Sequence, residues 1–192
     1  MRPDWYLDEA RRSMIMEAFI LGGDPDEIAE LREGGNPFVP GEGPMPCQLM
    51  MIGEAPGEDE ARMRRPFVGR SGRLLDELMK DAGILRRHTY ITNVVKYRPP
   101  GNRNPTDSEV EAFKTLLRAE VKAVDPRVIC LIGAIALQTV FPELRVSRVH
   151  GKVIPYRKRK WVPIYHPSYV LRRRDLIPAA DADMRTIKEL LK

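Results

Sequence analysis

The feature that most constrains the fold is the regular alternation of short apolar runs with longer segments of helical apolar spacing. The runs at residues 48–54, 89–95 and 127–133 consist mainly of apolar and β-branched residues, and a helix-like segment follows each of them. Residues 145–156 and 158–167 are predicted as further strands, joined by a basic turn. A strand–helix–strand alternation folds as a parallel sheet with helices on both faces. The sequence therefore predicts an α/β fold with three layers, α/β/α, around a central, mainly parallel four-stranded sheet.

The N-terminal part of the chain differs from this pattern. Residues 7–33 have helical spacing that is broken by Gly-Gly-Asp-Pro at 22–25, and residues 34–46 are rich in turn-forming glycine and proline. We therefore predict an N-terminal helical arm and linker over residues 1–46 and a main domain over residues 47–192.

The distribution of apolar residues and cysteines indicates the compartment. No apolar stretch approaches the roughly 18 residues of a membrane-spanning helix, and the N-terminus lacks the apolar core of a secretory signal. The chain has two cysteines, Cys47 and Cys130, which lie far apart and do not suggest a disulfide framework. We expect a cytoplasmic protein of prokaryotic or viral origin, with no membrane partner and with both thiols buried.

The positive charge of the chain is clustered. Lysine and arginine together number 32 against 27 acidic residues, which gives a modest net charge of +5. Much of this excess lies in three groups, which are Arg62, Arg64, Arg65, Arg70 and Arg73; Arg157, Lys158, Arg159 and Lys160; and Arg172, Arg173 and Arg174. Clustered cations suit a phosphate backbone, so the sequence favours a nucleic-acid partner over a uniformly solvated surface.

Three segments with polar residues follow predicted strands. Gly53 and Glu54 open a loop that also carries Glu58, Asp59 and Glu60, and such a loop would repel phosphate. Asn93 interrupts an apolar strand, and an amide there can read the edge of a base. His166 follows another strand and is fixed by Pro167. Because sites in parallel sheets gather at the carboxyl ends of strands, we expect these side chains to lie together.

The same segments resemble the uracil-DNA glycosylase superfamily, and most of all its family 4. The matching segments are GEAPGEDE (53–60), RPFVGRSGRLLDELM (65–79), YITNVVKYRPPGNRNPT (90–106) and HPSYVLR (166–172). Their order and spacing agree with the family from about residue 47 to the end. The resemblance implies a DNA repair glycosylase that flips a uracil out of DNA and hydrolyses its N-glycosidic bond, leaving an abasic site for base excision repair.

The resemblance also implies roles in uracil binding and catalysis. Phe67 would stack on the flipped uracil, Asn93 would bind its edge, and the backbone of Gly53, Glu54 and Ala55 would line the same pocket. His166 would stabilise the negative charge that grows on uracil O2. Glu60 or Glu54 would stabilise the sugar cation or orient the attacking water.

The DNA contacts implied by the resemblance lie in three segments. Leu171 and Arg172 would enter the duplex, and Asn102 and Arg103 would press on its backbone. Arg65 and Arg70 would contact DNA from the segment that precedes the first long helix. We expect a monomer that binds uracil-containing DNA, either single- or double-stranded.

The cysteines depart from the family pattern. Family 4 enzymes bind a structural [4Fe-4S] cluster through four cysteines, whereas two of the matching positions here hold Tyr97 and Phe113 and no cysteine precedes Cys47. We therefore predict no cofactor, no metal site and no iron–sulfur cluster, with the two aromatic rings packed together in its place.

Three alternatives remain open. The chain could be a catalytically silent relative that binds uracil or abasic DNA, or a glycosylase of the same fold that prefers another damaged base. It could also be a nucleotide hydrolase that uses its carboxylates with Mg²⁺, which chelation would inactivate.

Overall fold

The computed structural model describes residues 29–33 and 35–192, so the part of the helical segment predicted over residues 7–33 that precedes residue 29 lies outside the described residues. The described helices are α1 (Ala29–Glu33), α2 (Glu58–Met63), α3 (Arg70–Asp81), α4 (Asp107–Val124), α5 (Gly133–Val140), α6 (Val146–Val149), α7 (Pro167–Arg172) and α8 (Ile177–Leu190). The described strands are β1 (Leu49–Gly53), β2 (Thr89–Asn93), β3 (Val128–Ile132), β4 (Ile154–Tyr156) and β5 (Arg159–Ile164).

The strands form one sheet in the order β2-β1-β3-β5-β4. The first four of these are parallel to their neighbours, and β4 adds an antiparallel edge strand beside β5. The predicted parallel four-stranded core is therefore confirmed, with one further strand at its edge. The register pairs Gly53 with Asn93 and Ile132 with Ile164, so the polar segments that follow these strands emerge at the same edge of the sheet.

Helices cover both faces of the sheet, as the three-layer prediction requires. Along β1, Met50 and Ile52 belong to the apolar cluster that contains residues of α4 and α5. Leu49 and Met51 face the opposite way and belong to the cluster that contains residues of α3 and α8. All five residues of β1 are buried, which is typical of a central parallel strand with apolar packing on each side.

The predicted strand over residues 145–156 is the main departure from the sequence analysis. Val146–Val149 form the short helix α6, and only Ile154–Tyr156 are extended. The His150 amide donates to the Val146 carbonyl, and Gly151 adopts φ +69° and donates its amide to the Pro163 carbonyl. Valine favours strands only where a neighbouring strand can accept it. Here the buried side chain of Val146 and the turn at Gly151 favour a helical turn instead.

Part of the predicted arm and linker packs on the main domain. Leu31 is fully buried in the same apolar cluster as α4. The Val39 amide donates to the Lys96 carbonyl, and Glu42 exchanges two backbone hydrogen bonds with Ile91. Within the described ranges, no helix is both long enough and apolar enough to cross a membrane.

Candidate active site

A cavity of about 870 Å³ opens at the carboxyl edge of the sheet. Its volume lies in the range of small-molecule and cofactor pockets. Glu54, Phe67, Asn93 and His166, which are far apart in the sequence, all line it. The other predicted site residues in its wall are Ala55, Glu60, Arg70, Asn102, Arg103 and Arg172. The structure therefore brings together most of the residues that the sequence singled out.

Gly53 allows two of these side chains to meet. A Cβ atom at this position would overlap both the Asn93 Oδ1 atom and the Phe67 ring. Gly53 therefore lies beneath the contact between the two side chains rather than in the cavity wall itself. Any larger residue at the end of β1 would push the Phe67 ring or the Asn93 amide out of place.

Phe67 is held in an unusual backbone conformation. Its φ of +52° lies in the left-handed region, which is costly for a bulky residue and is often found at functional sites. Arg86 donates to the carbonyls of Pro66 (2.7 Å) and Phe67 (3.2 Å) and pairs with Asp76 (2.8 Å). Gly72 of α3 packs directly beneath the Phe67 carbonyl, where a Cβ would overlap it. Arg86 and Gly72 were missed by the sequence analysis.

Asn93 presents an acceptor to the cavity. It is 3% exposed, and its Oδ1 atom is buried without a hydrogen-bond partner among the described residues. Burying an acceptor in this way is costly unless a ligand supplies a donor. The amide is therefore arranged to bind a polar group that enters the cavity.

A buried ion pair supports Asn93 from behind. The fully buried Lys96 donates from Nζ to the Asn93 carbonyl (2.6 Å), to Thr92 Oγ1 (2.5 Å) and to Glu120 Oε2 (2.5 Å). Burial lowers the pKa of Lys96, and the Glu120 carboxylate opposes that shift. This network fixes the end of β2, and it was not predicted, since its only trace in the sequence is one lysine after an apolar strand.

His166 is oriented by the residue that caps the next helix. The backbone amide of Ser168 donates to His166 Nδ1 (3.1 Å), and the Ser168 hydroxyl lies 2.7 Å from the same atom. An atom that accepts a backbone N–H cannot carry a proton, so the neutral ring is protonated at Nε2. Burial and the charge of Arg172 lower the pKa of His166 to about 4, while Glu60 opposes the shift. The ring is therefore a neutral donor at neutral pH.

Two contacts place the His166 ring within the cavity. Its centroid lies 6.0 Å from that of Phe67, at an interplanar angle of 34°. Gly133, which has φ +88°, packs against it, and a Cβ on Gly133 would lie 3.0 Å from His166 Cβ. Gly133 was not among the predicted site residues, although a glycine directly after a buried strand is a recognisable sign of close backbone approach.

The two predicted catalytic carboxylates have different surroundings. Glu60 accepts hydrogen bonds from the backbone amides of Gly57 (3.2 Å), Val68 (2.9 Å) and Gly69 (2.7 Å), so it organises the loop that carries Phe67. The Glu54 side chain receives no hydrogen bond from the part of the chain that the structure describes, and burial raises its pKa. Glu54 is thus the carboxylate with free capacity for a ligand or water.

The predicted DNA-contact residues divide into two groups. Arg70, Asn102, Arg103 and Arg172 line the cavity, whereas Arg65 and Leu171 do not. Arg65 forms two 2.7 Å hydrogen bonds with Glu42. Arg103 binds both carboxylate oxygens of Glu109 (2.7 and 2.8 Å), and Asn102 accepts a hydrogen bond from Arg98 (2.7 Å). Arg65 and Arg103 therefore also stabilise the fold through ion pairs with Glu42 and Glu109. Their contacts with DNA stay predictions.

Other residues of the cavity wall were not predicted from the sequence. Among them are Gly133, Arg145, Ser147, Tyr165 and Tyr169. The sequence signal for the last two is their closeness to His166, since Tyr165 directly precedes it and Tyr169 lies within the HPSYVLR segment.

The positions implied for an iron–sulfur cluster are occupied by aromatic rings. Tyr97 and Phe113 pack with their centroids 6.1 Å apart, as predicted, and Phe38 meets Tyr97 edge-on at 5.6 Å. Cys47 and Cys130 are both buried, in separate apolar clusters. Within the described ranges, no three His, Cys, Asp or Glu residues are grouped to hold a metal ion. The residues present therefore do not fit a four-thiolate cluster, and its absence remains a prediction.

Comparison with known proteins identifies relatives of the chain. Residues 40–192 match the family described as the Uracil DNA glycosylase superfamily. A type-4 uracil-DNA glycosylase of Thermotoga maritima is 45% identical over 139 residues, which cover 71% of this chain and 72% of the relative. A type-4 uracil-DNA glycosylase of Archaeoglobus fulgidus is 40% identical over 80% of this chain and 81% of its own length. One of Sulfurisphaera tokodaii is 36% identical, over 79% and 74%.

Proposed function

This chain belongs to the Uracil DNA glycosylase superfamily, and we propose that it hydrolyses the N-glycosidic bond of a flipped-out uracil in DNA, leaving an abasic site for base excision repair. The observation that carries the proposal is the convergence of Phe67, Asn93 and His166 on one cavity. A departing pyrimidine requires an aromatic ring on which to stack, an amide that hydrogen-bonds its edge and a neutral hydrogen-bond donor. Phe67, Asn93 and His166 supply these groups in that order. The chemistry of each group supports a separate role.

The reaction needs opposite electrostatics at the two ends of the broken bond. As the bond lengthens, the sugar gains oxocarbenium character and the leaving base becomes a uracil anion. The sugar is stabilised by nearby negative charge, and the base is stabilised by a hydrogen-bond donor at O2. The Glu54 carboxylate and the His166 Nε2–H on one cavity supply these two groups.

His166 acts as a neutral hydrogen-bond donor in this proposal. Its Nδ1 atom accepts from Ser168, so the Nε2–H is directed by a fixed partner and needs no reorganisation during the reaction. Its pKa of about 4 keeps the ring uncharged in the free enzyme. Loss of one such oriented donor costs roughly 10²- to 10³-fold in rate in enzymes that stabilise an oxyanion.

Asn93 selects uracil over cytosine. The unpaired Oδ1 atom accepts from uracil N3–H, and the amide NH₂ donates to uracil O4. Cytosine presents an acceptor at N3 and a donor at N4, so both contacts would become mismatched. A polar group left unpaired in a buried site is a strong basis for discrimination.

Glu54 is the carboxylate that orients water or stabilises the sugar. Glu60 has its oxygens occupied by three backbone amides, so we assign it to the loop that holds Phe67. Glu54 has free oxygens in the cavity wall. Leu171, Arg172 and Arg70 would offset the few kcal/mol that base extrusion costs, by filling the duplex and by binding phosphates.

A single-turnover assay of uracil release from a labelled oligonucleotide tests this function. We expect the wild type to release uracil, to leave the strand uncut until alkali treatment and to be unaffected by EDTA. Asn93→Ala and His166→Ala should each lose about 100-fold or more in rate. His88→Ala is the matched control, because His88 lies outside this cavity, and it should behave as wild type.

Three results would contradict the proposal. Tight binding of uracil-DNA by the wild type without release would identify a silent relative. Faster release of hypoxanthine or of mismatched thymine would identify another base preference. Loss of activity in EDTA would identify a metal-dependent hydrolase.

A further inference from the structure

A row of aromatic side chains leads into one side of the cavity, and we call it the aromatic shelf. It consists of His150, which is not part of the cavity wall, and of Tyr165 and Tyr169, which are. The His150 and Tyr165 rings are 4.5 Å apart at 37°, and the Tyr165 and Tyr169 rings are 5.8 Å apart at 35°. The Arg172 guanidinium lies 5.9 Å from the centroid of Tyr169 and extends the row.

The shelf is continuous with the proposed uracil site. Tyr165, Tyr169 and Arg172 line the same cavity as Phe67 and Asn93. The cavity therefore extends well beyond the part where a single base would lie between Phe67 and Asn93. Tyr165 and Tyr169 of the shelf line that additional part of the cavity.

The exposure of Tyr169 is not explained by packing of the core, because its neighbour Val170 is the residue that packs in the core. Tyr169 is 38% exposed, whereas Val170, the next residue on α7, is fully buried and belongs to the apolar core. A large exposed aromatic beside a polar cavity is typical of a surface that stacks on a partner. Tyr169 thus has ring area available to a ligand.

The His150 end of the shelf is held in place by a buried carboxylate. His150 Nδ1 lies 3.0 Å from Asp183 Oδ2, and Asp183 is 4% exposed on α8. Gly151 packs so closely against this carboxylate that a Cβ would overlap it. Helix α6 directly precedes His150; its residue Ser147 and the preceding Arg145 also line the cavity. The shelf is therefore preorganised, with cationic and hydroxyl groups beside it that suit a phosphate.

We propose that the aromatic shelf is a second nucleotide subsite, in which Tyr169 stacks on the base next to the extruded uridine; this inference rests on the proposed function. The occupant is a nucleobase of any identity, because every base has a π-face and stacking on aromatic side chains is tolerant of sequence. Arg172 and Arg145 bind the phosphates on either side of that nucleotide. The neighbouring base is thereby unstacked from the strand and held while uracil occupies the deeper site.

A double-mutant cycle between protein and DNA tests the subsite. Binding is measured with single-stranded oligonucleotides that carry 2′-fluoro-deoxyuridine, which resists hydrolysis, with a normal base or an abasic analogue as the 5′ or 3′ neighbour. For one of the two neighbours, we expect Tyr169→Leu to weaken binding about tenfold with the normal base and to have no further effect with the abasic analogue. Tyr169→Phe, which keeps the ring, should restore wild-type binding.

A spectroscopic readout and a control variant complete the test. With 2-aminopurine as that neighbour, its fluorescence should change on binding to the wild type and to Tyr169→Phe but not to Tyr169→Leu. Tyr156→Leu is the matched control, since Tyr156 is 39% exposed but lies outside the cavity, and it should behave as wild type. Additive effects in the cycle, or failure of Tyr169→Phe to restore binding, would overturn the subsite. Failure of the wild type to release uracil from hydrolysable DNA would instead overturn the proposed function.

Discussion

At the scale of single residues, the cavity contains two titratable groups whose pKa values are shifted in ways that matter for catalysis. Burial raises the pKa of Glu54 from its ordinary value of 4.5. Burial and Arg172 lower the pKa of His166 to about 4, against the opposing charge of Glu60. As pH falls, Glu54 therefore takes up a proton before His166 does. The proposed mechanism needs the ionised carboxylate and the neutral ring, so Glu54 would set the acid limit of activity.

We predict that the single-turnover rate falls on the acid side with a midpoint above 4.5, and that this limb belongs to Glu54. Glu54→Gln should be slower at neutral pH and should lose the limb down to about pH 4, where His166 begins to titrate. The measurement is the rate at saturating DNA from about pH 4 to about pH 8. A midpoint near 6.5 that survives in Glu54→Gln would mean that His166 titrates as a solvent-exposed histidine, and would refute the assignment.

Sequence reasoning found the polar residues of the site better than their supports. Asn93 and His166 stood out because a polar residue ends an apolar strand, and Phe67 came from the family resemblance. Lys96, Arg86 and Gly133 were missed, since their roles depend on contacts across the fold. No pattern within the chain shows that Lys96 will be buried, or that it will pair with Glu120, which lies 24 residues further along the sequence.

At the scale of elements, the packing of α4 against the segment that follows β2 involves aromatic rings where the family resemblance implied metal-binding thiolates. Tyr97 and Phe113 are both buried, and Phe38 joins them from the segment before β1. An apolar cluster of this kind needs no cofactor to hold its elements together. We therefore expect this aromatic cluster to be stabilised by the burial of its rings and not by a bound cofactor.

We predict that Tyr97→Ala lowers the free energy of unfolding by about 3–5 kcal/mol, as is typical of deleting a large buried aromatic, whereas Tyr97→Phe costs less than about 1.5 kcal/mol. Urea denaturation measures both. Tyr156→Ala should cost less than Tyr97→Ala, because 39% of the Tyr156 side chain is already exposed. Iron chelation should leave the wild-type midpoint unchanged. A midpoint that falls on chelation, or a Tyr97→Ala protein as stable as the wild type, would contradict this account of the packing.

Element boundaries were predictable where one pattern decided them and were missed where two patterns competed. The strands β1, β2 and β3 lie within continuous apolar runs bounded by loops and glycine, and all three were predicted. The segment over residues 145–156 has the valine content of a strand, but its amides satisfy one another in α6 before the chain reaches β4. Local propensity could not decide between these outcomes, because the chain over residues 145–156 pairs with β5 along only the three residues of β4.

At the scale of the whole molecule, charge is arranged around the cavity rather than merely in excess. The acidic residues Glu54, Glu58, Asp59 and Glu60 occupy one stretch of the wall, and the arginines of the wall come from other segments. A phosphate backbone is therefore attracted to the cationic part and repelled from the acidic loop. In the proposed function, this arrangement favours the sugar of the flipped nucleotide, rather than a phosphate, beside the carboxylates.

The salt dependence of DNA binding follows from this arrangement. Each phosphate contact that is lost should reduce the slope of log K against log salt concentration by about 0.9 for duplex DNA and about 0.7 for single strands. We predict this reduction for Arg70→Gln, because Arg70 lies in the cavity wall at the start of α3. Arg185→Gln removes the same charge from an exposed position on α8, outside the wall, and should leave the slope unchanged. Fluorescence anisotropy with a 2′-fluoro-deoxyuridine oligonucleotide at several salt concentrations measures both. Equal reductions in the two variants would show that DNA senses only the net charge of +5, and would exclude a specific phosphate contact at Arg70.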